Sequence, residues 1–590
     1  RTQPLGRPAT RLRAGLALLG TVLLLLACRL VQLQALSPSA YASQTGVQRT
    51  SKVVLPAPRG ELLDRNGNVL ALSVAAKNVY AEPRTIAKAT CQPGATEPCD
   101  PATIAAALAP LLGLDVGKVT AQLSADKGFV YLKRGVDPAL ADKVRALNLI
   151  GIGFESTSVR VHPSHELAAG VLGFTDFEGQ GKAGVELALQ NVLAGTDGET
   201  VAQFDAFGRV IPTGQDSHRD PVAGKDVELT LDRDLQWYAQ KLLADQVAAT
   251  QAKSGTVIVM DVKTGQLLAL ATAPTFDPDH RTGASGELMG NPALSDVYEP
   301  GSVNKVITAA AALQAGIVTP DTVIEVPPTL QVSNRVLHDA EKHGTEHLTF
   351  AGVLAKSSNI GTVKVAQQLG ADRLYTMMRA FGFGERTGLG LPGESRGIIP
   401  KPADWSGTSI ANIPIGQGIS VNALQVASVY ATVANGGVRV APSIVLSNRD
   451  SAGHVTPVPA PERHRVISAQ VAQQLRDMLE QVVTEQGTAP KAAIPGYRVA
   501  GKTGTAQRVA TSGPRAGHYD GTYTSSFVGM APADAPRFVT AVVLQGTGAR
   551  GYFGGQVAAP LFSSITGFAL RSYGVPPSGT QSPRLRLSVD

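Results

Sequence analysis

The chain has 590 residues, 43% hydrophobic and 17% charged, with a net charge of +6; that is an ordinary composition for roughly four folded domains and excludes a disordered protein. No run of five or more Lys or Arg occurs, so no nucleic-acid footprint is indicated. The three cysteines, Cys28, Cys91 and Cys99, are too few for a disulfide scaffold and lack the paired spacing of a structural zinc site. A small bridge from Cys91 to Cys99 across QPGATEP is left open by the sequence.

Arg1, Arg7, Arg11 and Arg13 precede the uncharged run AGLALLGTVLLLLAC, Ala14 to Cys28, which continues to Leu36. About 20 residues cross a bilayer, so residues 14–36 are expected to form one transmembrane anchor, with Arg29 snorkelling to the interface. The positive-inside rule then places residues 1–13 in the cytoplasm and the rest of the chain outside it. A cleaved signal or a lipoprotein signal ending at Cys28 competes with this reading, but no A-x-A-like site follows the apolar stretch before SPSAYA.

Residues 37–223 mix β-branched runs (KVVLP, VLALSV, NVYAEP) with two helical patterns (ATIAAALAPLLGL, ALADKVRALNL), as expected of an extended α+β module. The polar, turn-rich GQDSHRDPVAGKD, between Ile211 and Val227, reads as a linker. A second domain, 224–574, opens with the strand VELTLD, the helix LQWYAQKLLADQVAATQA and two strands in SGTVIVMDVKTGQLLALATAP. Ala-rich helices occupy its middle; strands return at VAGKTGTAQ and FVTAVVLQ before a last helix, AAPLFSSITGFALRSYG. Strands at both ends of a domain imply that the first and last meet in one sheet. The tail 575–590, VPPSGTQSPRLRLSVD, reads as disordered.

GYRVAGKTG, Gly496 to Gly504, satisfies the P-loop pattern. A P-loop lysine must open a helix whose N-terminus faces phosphate, and after Gly504 the chain reads as strand, Gly/Pro-rich loop and strand, so the match is accidental. The same stretch contains Lys-Thr-Gly, a signature of serine enzymes whose companions are S-x-x-K and a Ser-x-Asn triplet. Two decoys are present: Ser124 and Lys127 also spell S-x-x-K, but Gly128 follows at once, and Lys263 to Gly265 also spell Lys-Thr-Gly, but join two apolar strands as a hairpin turn. Ser302 differs. Pro300 and Gly301 break the chain before it and an Ala-rich helix follows, so the serine opens a helix and its backbone N–H can stabilise an oxyanion. Lys305 lies one turn on along the same face, and an amine deprotonated by burial is a competent base for that hydroxyl. Ser357 and Asn359 follow at a helix junction, then Lys502, Thr503 and Gly504 on a strand.

With three signatures in this order, the chain resembles the penicillin-binding transpeptidases, specifically the class B, division-type (FtsI-like) enzymes. PRGELLDRNGNVLALS and RVHPSHELAAGVLGFTDFEGQGKAGVE are similar to motifs of that family's first module, with His162 where the family usually has Tyr. FGFGERTGLGLPGES, ANIPIGQGISV, SSFVGMAPADAPRF and YFGGQVAAPLF are similar to stretches of its catalytic domain. The resemblance implies an α+β architecture: an N-terminal transmembrane helix, an elongated pedestal (37–223) and a transpeptidase domain (224–574) with an antiparallel sheet sandwiched by helices. It implies that Ser302 attacks the penultimate D-Ala of a peptidoglycan stem peptide, that Lys305 takes the proton, that Ser357 relays a proton to the leaving amine and that Asn359 holds the substrate amide. Lys502 and Thr503 would bind the terminal carboxylate beside Gly504, and the backbone N–H groups of Ser302 and Thr505 would form the oxyanion hole. β-Lactams would acylate Ser302. An FtsW-type glycan polymerase and other division proteins would be partners at the division site, and no cofactor, metal or nucleic acid is implied.

Class A β-lactamases share the signatures but deacylate through an added glutamate. No Glu after Asn359 has an Asn four residues on, which predicts slow hydrolysis and hence a transferase. Elongation-type relatives are the nearest alternative. A β-lactam sensor or scaffold would carry several membrane spans or lose a signature, and a bifunctional class A enzyme would carry a polymerase domain. The histidines of LHDAEKHGTEH (His338, His343, His347, with Asp339, Glu341 and Glu346) have spacings that can ligate zinc, but the Gly-interrupted stretch reads as a structural loop leading to the Ser357 helix.

Overall fold

The computed structural model describes residues 8–32, 50–88, 100–203, 217–510, 514 and 516–589. Two compact units emerge, one drawn from Arg1–Ala57 and Thr196–Val222, the other from Pro58–Gly195 and Ala223–Asp590. In the first, helix α1 (Pro8–Val31) takes in Arg11 and Arg13 before the apolar run, so it begins earlier than residue 14. Leu23, Leu24, Leu25 and Leu26 are all more than half exposed. Residues 9–31 form the one helix among the described residues long and apolar enough to cross a membrane; 33–36 lie outside the described residues, as do Cys91 and Cys99. This unit also holds a three-stranded antiparallel sheet of Thr50–Leu55, Gly198–Gln203 and Ser217–Arg219. The described part of the expected linker is therefore partly strand.

Strands from either side of residue 223 come together in the second unit. Leu62–Leu63 pairs in parallel with Val227–Glu228, and Asp226–Leu229 pairs in turn with Val445–Arg449, so one sheet draws strands from both sides of that position. Arg59 and Arg160 both pair with fully buried Glu186, at 2.6 and 2.7 Å, which offsets the desolvation of all three. His162 is buried and meets Asp279 twice: its backbone N–H donates at 2.9 Å and Nδ1 lies 2.6 Å from the carboxylate.

The central sheet comprises β1 (Ser254–Asp261), β2 (Leu267–Ala273), β3 (Ala500–Val509), β4 (Tyr519–Ala531) and β5 (Phe538–Thr547), in the antiparallel order β2-β1-β5-β4-β3. Val257 pairs with Val542, so early and late strands of the domain do meet in one sheet, but the earliest strand, Asp226–Leu229, is not among them: it pairs with Val445–Arg449 and Leu62–Leu63 in a separate sheet. Both faces of β1 and β2 are buried, which is why they read as unbroken apolar runs instead of alternating ones. Among the helices of the domain are α2 (Arg233–Thr250), α3 (Lys305–Gln314), α4 (Phe350–Ala355), α5 (Asn359–Leu369), α6 (Ala423–Ala434), α7 (Ala469–Glu480) and α8 (Ala559–Ser572). Helices α2 and α8 pack on the sheet and on each other, with Tyr238 stacked 4.4 Å from Phe568. Helix α6, opened by a capping box of Asn422 and Gln425, is buried at every residue and packs against both the sheet and α7.

The sequence decoys fall where their contexts predict. Ser124 caps the C-terminus of Val116–Leu123. Lys263 and Thr264 donate backbone N–H groups to Asp261 in the β1–β2 turn, and Gly265 adopts φ +72° there. The expectation of disorder beyond residue 574 is corrected: residues 575–589 lie along the domain, with Leu587 buried. Leu585, Leu587 and Val589 alternate with polar residues, a strand period that the Pro- and Ser-rich start of the tail obscures.

Candidate active site

Ser302 lies in a tight turn, Gly301–Asn304, that runs into α3. The turn is held from several sides. Gly301 adopts φ +60° and donates to Gly416 O at 2.9 Å, and a Cβ on Gly416 would sit 2.1 Å from Gly301 O, so only glycine permits that approach. Asn304 Nδ2 donates to Ile413 O, Thr308 Oγ1 to Pro414 O and Tyr430 OH to Val303 O, each at 2.9–3.0 Å. Glu299, just before the turn, accepts from Gly418 N–H at 2.8 Å and from Tyr519 OH at 3.1 Å. Burial and that carboxylate push the Tyr519 phenol up to about 12.

Lys305 is fully buried. Its amine lies 2.6 Å from Ser357 O, 2.8 Å from Asn359 Oδ1 and 3.3 Å from Ser357 Oγ. The first two motifs therefore meet at this nitrogen. Among the described residues the Ser302 hydroxyl has no hydrogen-bond partner, so the expected reach of Lys305 to Ser302 is replaced here by contacts to the second motif; such contacts often form only with substrate bound. Desolvation lowers the Lys305 pKa to about 7, against the opposing pull of Asp339.

Ser357 occupies φ +60°, a left-handed conformation that costs a non-glycine residue on the order of 1 kcal/mol or more. What over-determines it is Asp339. Its carboxylate accepts from Ser358 Oγ at 2.6 Å and from the backbone N–H groups of Asn359 and Ile360 at 2.5 and 3.0 Å, capping the first turn of α5. His343 Nε2 lies 3.2 Å from the same carboxylate, and Asn359 Nδ2 donates to His338 O at 3.0 Å. The histidine-rich loop thus positions the second motif. The sequence marks Asp339 only as one acid of the histidine-rich stretch weighed for zinc, not for the serine chemistry; its signal for the present role is an acid in a polar loop shortly before a Ser-x-Asn triplet.

Lys502, Thr503, Gly504 and Thr505 lie on β3, at the edge of the sheet. Lys502 is fully buried, and desolvation, then the proximity of Lys305, holds its amine well below the ordinary lysine range. Thr503 Oγ1 is 2.8 Å from Thr488 Oγ1 and 3.3 Å from Lys502 Nζ. A Cβ on Gly504 would lie 2.3 Å from Ser526 Oγ, 3.1 Å from Pro300 O and 3.2 Å from Val303 Cγ1. Glycine is needed there so that the strand can touch the Ser302 turn.

Residues 255–567 match the Penicillin binding protein transpeptidase domain and residues 54–229 the Penicillin-binding Protein dimerisation domain. The fold and the three motifs around Lys305 thus define a serine transpeptidase domain carried on a dimerisation domain. Penicillin-binding protein PbpB of Mycobacterium tuberculosis is 40% identical over 597 residues, 98% of this chain and 87% of that protein. Peptidoglycan D,D-transpeptidase FtsI of Escherichia coli K12 is 35% identical over 565 residues, covering 95% and 92%. The crystal structure of penicillin-binding protein 3 from Mycobacterium tuberculosis complexed with ampicillin superposes with a TM-score of 0.70 at 36% identity, covering 91% of this chain and 100% of that one. The chain belongs to the class B penicillin-binding proteins.

Proposed function

We infer that the chain is a membrane-anchored D,D-transpeptidase that crosslinks peptidoglycan stem peptides through an acyl-enzyme on Ser302. The observation that carries this reading is the meeting of the motifs at a buried amine: Lys305 Nζ within 3.3 Å of Ser357 Oγ and 2.8 Å of Asn359 Oδ1, with Lys502 close enough for the two lysines to influence each other. The neutral Lys305 amine takes the Ser302 proton as Oγ attacks the carbonyl of the penultimate D-Ala. The oxyanion is held by the backbone N–H groups of Ser302 and Thr505. Collapse breaks the peptide C–N bond, Ser357 relays a proton to the departing D-Ala amine, and Asn359 orients the substrate amide. An amine of a second stem peptide then displaces Ser302 and forms the crosslink. Lys502 and Thr503 receive the terminal carboxylate; as a counter-charge, it restores the proton that burial disfavours on Lys502. A β-lactam presents the same carboxylate and an acylating carbonyl, so it traps Ser302.

The arginines ahead of the apolar run of α1 support a single-pass anchor with a cytoplasmic N-terminus and an external catalytic domain. Similarity to FtsI supports action at the division site, where an FtsW-type polymerase is the partner this reading implies. The test is to incubate the full-length protein in detergent with un-crosslinked peptidoglycan bearing pentapeptide stems. Released D-Ala and crosslinked muropeptides, both absent for Ser302→Ala, are the expected result. Released D-Ala with only trimmed monomers would make the protein a carboxypeptidase, and neither product from folded protein would refute the reading.

A further inference from the structure

The acyl-enzyme reading places two requirements on opposite walls of the cleft: Lys502 and Thr503 on β3, and Ser357 and Asn359 at the α4–α5 junction. The segment after α8 is bonded to the lead-in of both walls. Near β3, Ser578 N–H donates to Gly496 O at 2.9 Å and Ser578 Oγ accepts from Arg498 N–H at 3.0 Å. Arg498 Nη1 donates to Thr580 Oγ1 at 2.7 Å. Midway, Gln481 Nε2 donates to Pro583 O at 2.8 Å. At the other wall the chain adds to the strand Glu346–Thr349: Thr349 N–H donates to Leu587 O at 3.0 Å, Thr349 Oγ1 to Arg586 O at 2.5 Å and Val589 N–H to His347 O at 3.0 Å. Thr349 is the N-cap of α4, and α4 ends two residues before Ser357. A Cβ on Gly352, in the first turn of α4, would sit 1.9 Å from Leu587 O. Leu585 and Leu587 pack on the main core.

We propose that residues 585–589 are a positioning segment for the transpeptidase reaction: by strand addition to Glu346–Thr349 they fix α4 relative to β3 and so hold Ser357 and Asn359 at Lys305. The strap touches neither substrate nor reacting atoms. Strand addition by main-chain bonds with alternate side chains buried is a mode that also works between separate chains, which makes the inference testable in trans.

The inference rests on the acyl-enzyme reading, and one assay separates the two. Full-length protein in detergent and a variant ending at Arg584 are compared for the rate of acylation by a fluorescent penicillin and for melting temperature. Expected is a tenfold or larger loss of acylation rate in the truncated protein, with the fold retained, and recovery of most of it on adding the peptide SPRLRLSVD but not the same peptide with Leu587→Asp. Gly352→Ala, which displaces Leu587 O without removing the tail, should give a smaller loss in the same direction. If the truncated protein does not fold, Gly352→Ala and full-length Leu587→Ala become the deciding variants. Acylation at the wild-type rate in a folded strap variant overturns the positioning role, as does failure of the peptide to restore a folded truncated protein. Absence of acylation in the wild type would instead refute the acyl-enzyme reading.

Discussion

Two Lys-Thr-Gly tripeptides sit at opposite sides of one sheet, and their difference shows what makes a motif chemical. Lys263–Gly265 form the β1–β2 turn, where the Lys263 residue is exposed and its amine reaches Asn435, at 3.4 Å. Lys502–Gly504 lie within the edge strand β3, where the amine is fully buried and pushed toward its neutral form by burial and by Lys305. The glycines differ as well. Gly265 is required both by its φ of +72° and by the Ala441 carbonyl, whereas Gly504, with no left-handed φ, is required for space alone, since a side chain would meet Ser526 and the carbonyl before the nucleophile turn. The residues are identical; solvent exclusion and the neighbouring motif create the site.

The largest expected effect breaks this comparison at the lysines. Lys502→Ala should slow acylation by penicillin about 10²–10³-fold, the scale of losing one well-placed electrostatic donor, whereas Lys263→Ala should leave the rate within about twofold and stability within about 0.5 kcal/mol. Stopped-flow acylation and thermal melts on the two variants check this; equal losses would contradict it. At the glycines, Gly504→Ala should slow acylation about tenfold with a modest change in melting temperature. Gly265→Ala, whose Cβ would lie 2.6 Å from Ala441 O in a left-handed turn, should reverse that pattern, losing about 1–3 kcal/mol of stability with an unchanged acylation rate.

A smaller effect sharpens the electrostatic half. Lys305 must be neutral to accept a proton, and burial brings its pKa to about 7, so acylation rises as pH climbs through about 7. Asp339 raises that pKa. Asp339→Asn removes the negative charge, so the acid limb of the pH–rate profile should move to lower pH even as the plateau rate falls. A limb that moves upward or stays in place would show that Asp339 acts only as a cap.

Much of this was legible in the sequence because the motifs are local. Ser302 with Lys305, the Ser357 junction and the β-branched context of Lys502 each show within about ten residues, and the apolar runs of β1 and β5 announced a shared sheet. The role of Asp339 was not legible: the loop that leads to the Ser357 helix can be read, but not that this carboxylate turns back onto Ser358, Asn359 and Ile360. Glu299 and Tyr519 meet across 220 residues, beyond any periodic signal. The tail was misread because PPSGTQSP suggests disorder; the alternation of Leu585, Leu587 and Val589 was visible, but its partner strand, Glu346–Thr349, lies far upstream.

The central claim is that Ser302 is the acylated nucleophile. The most direct test is mass spectrometry of the full-length protein after benzylpenicillin, first intact and then as peptides, with Ser302→Ala alongside. One adduct per chain, located on Ser302 and absent from the variant, is the predicted result. An adduct on another residue, or one that persists in Ser302→Ala, would contradict the account.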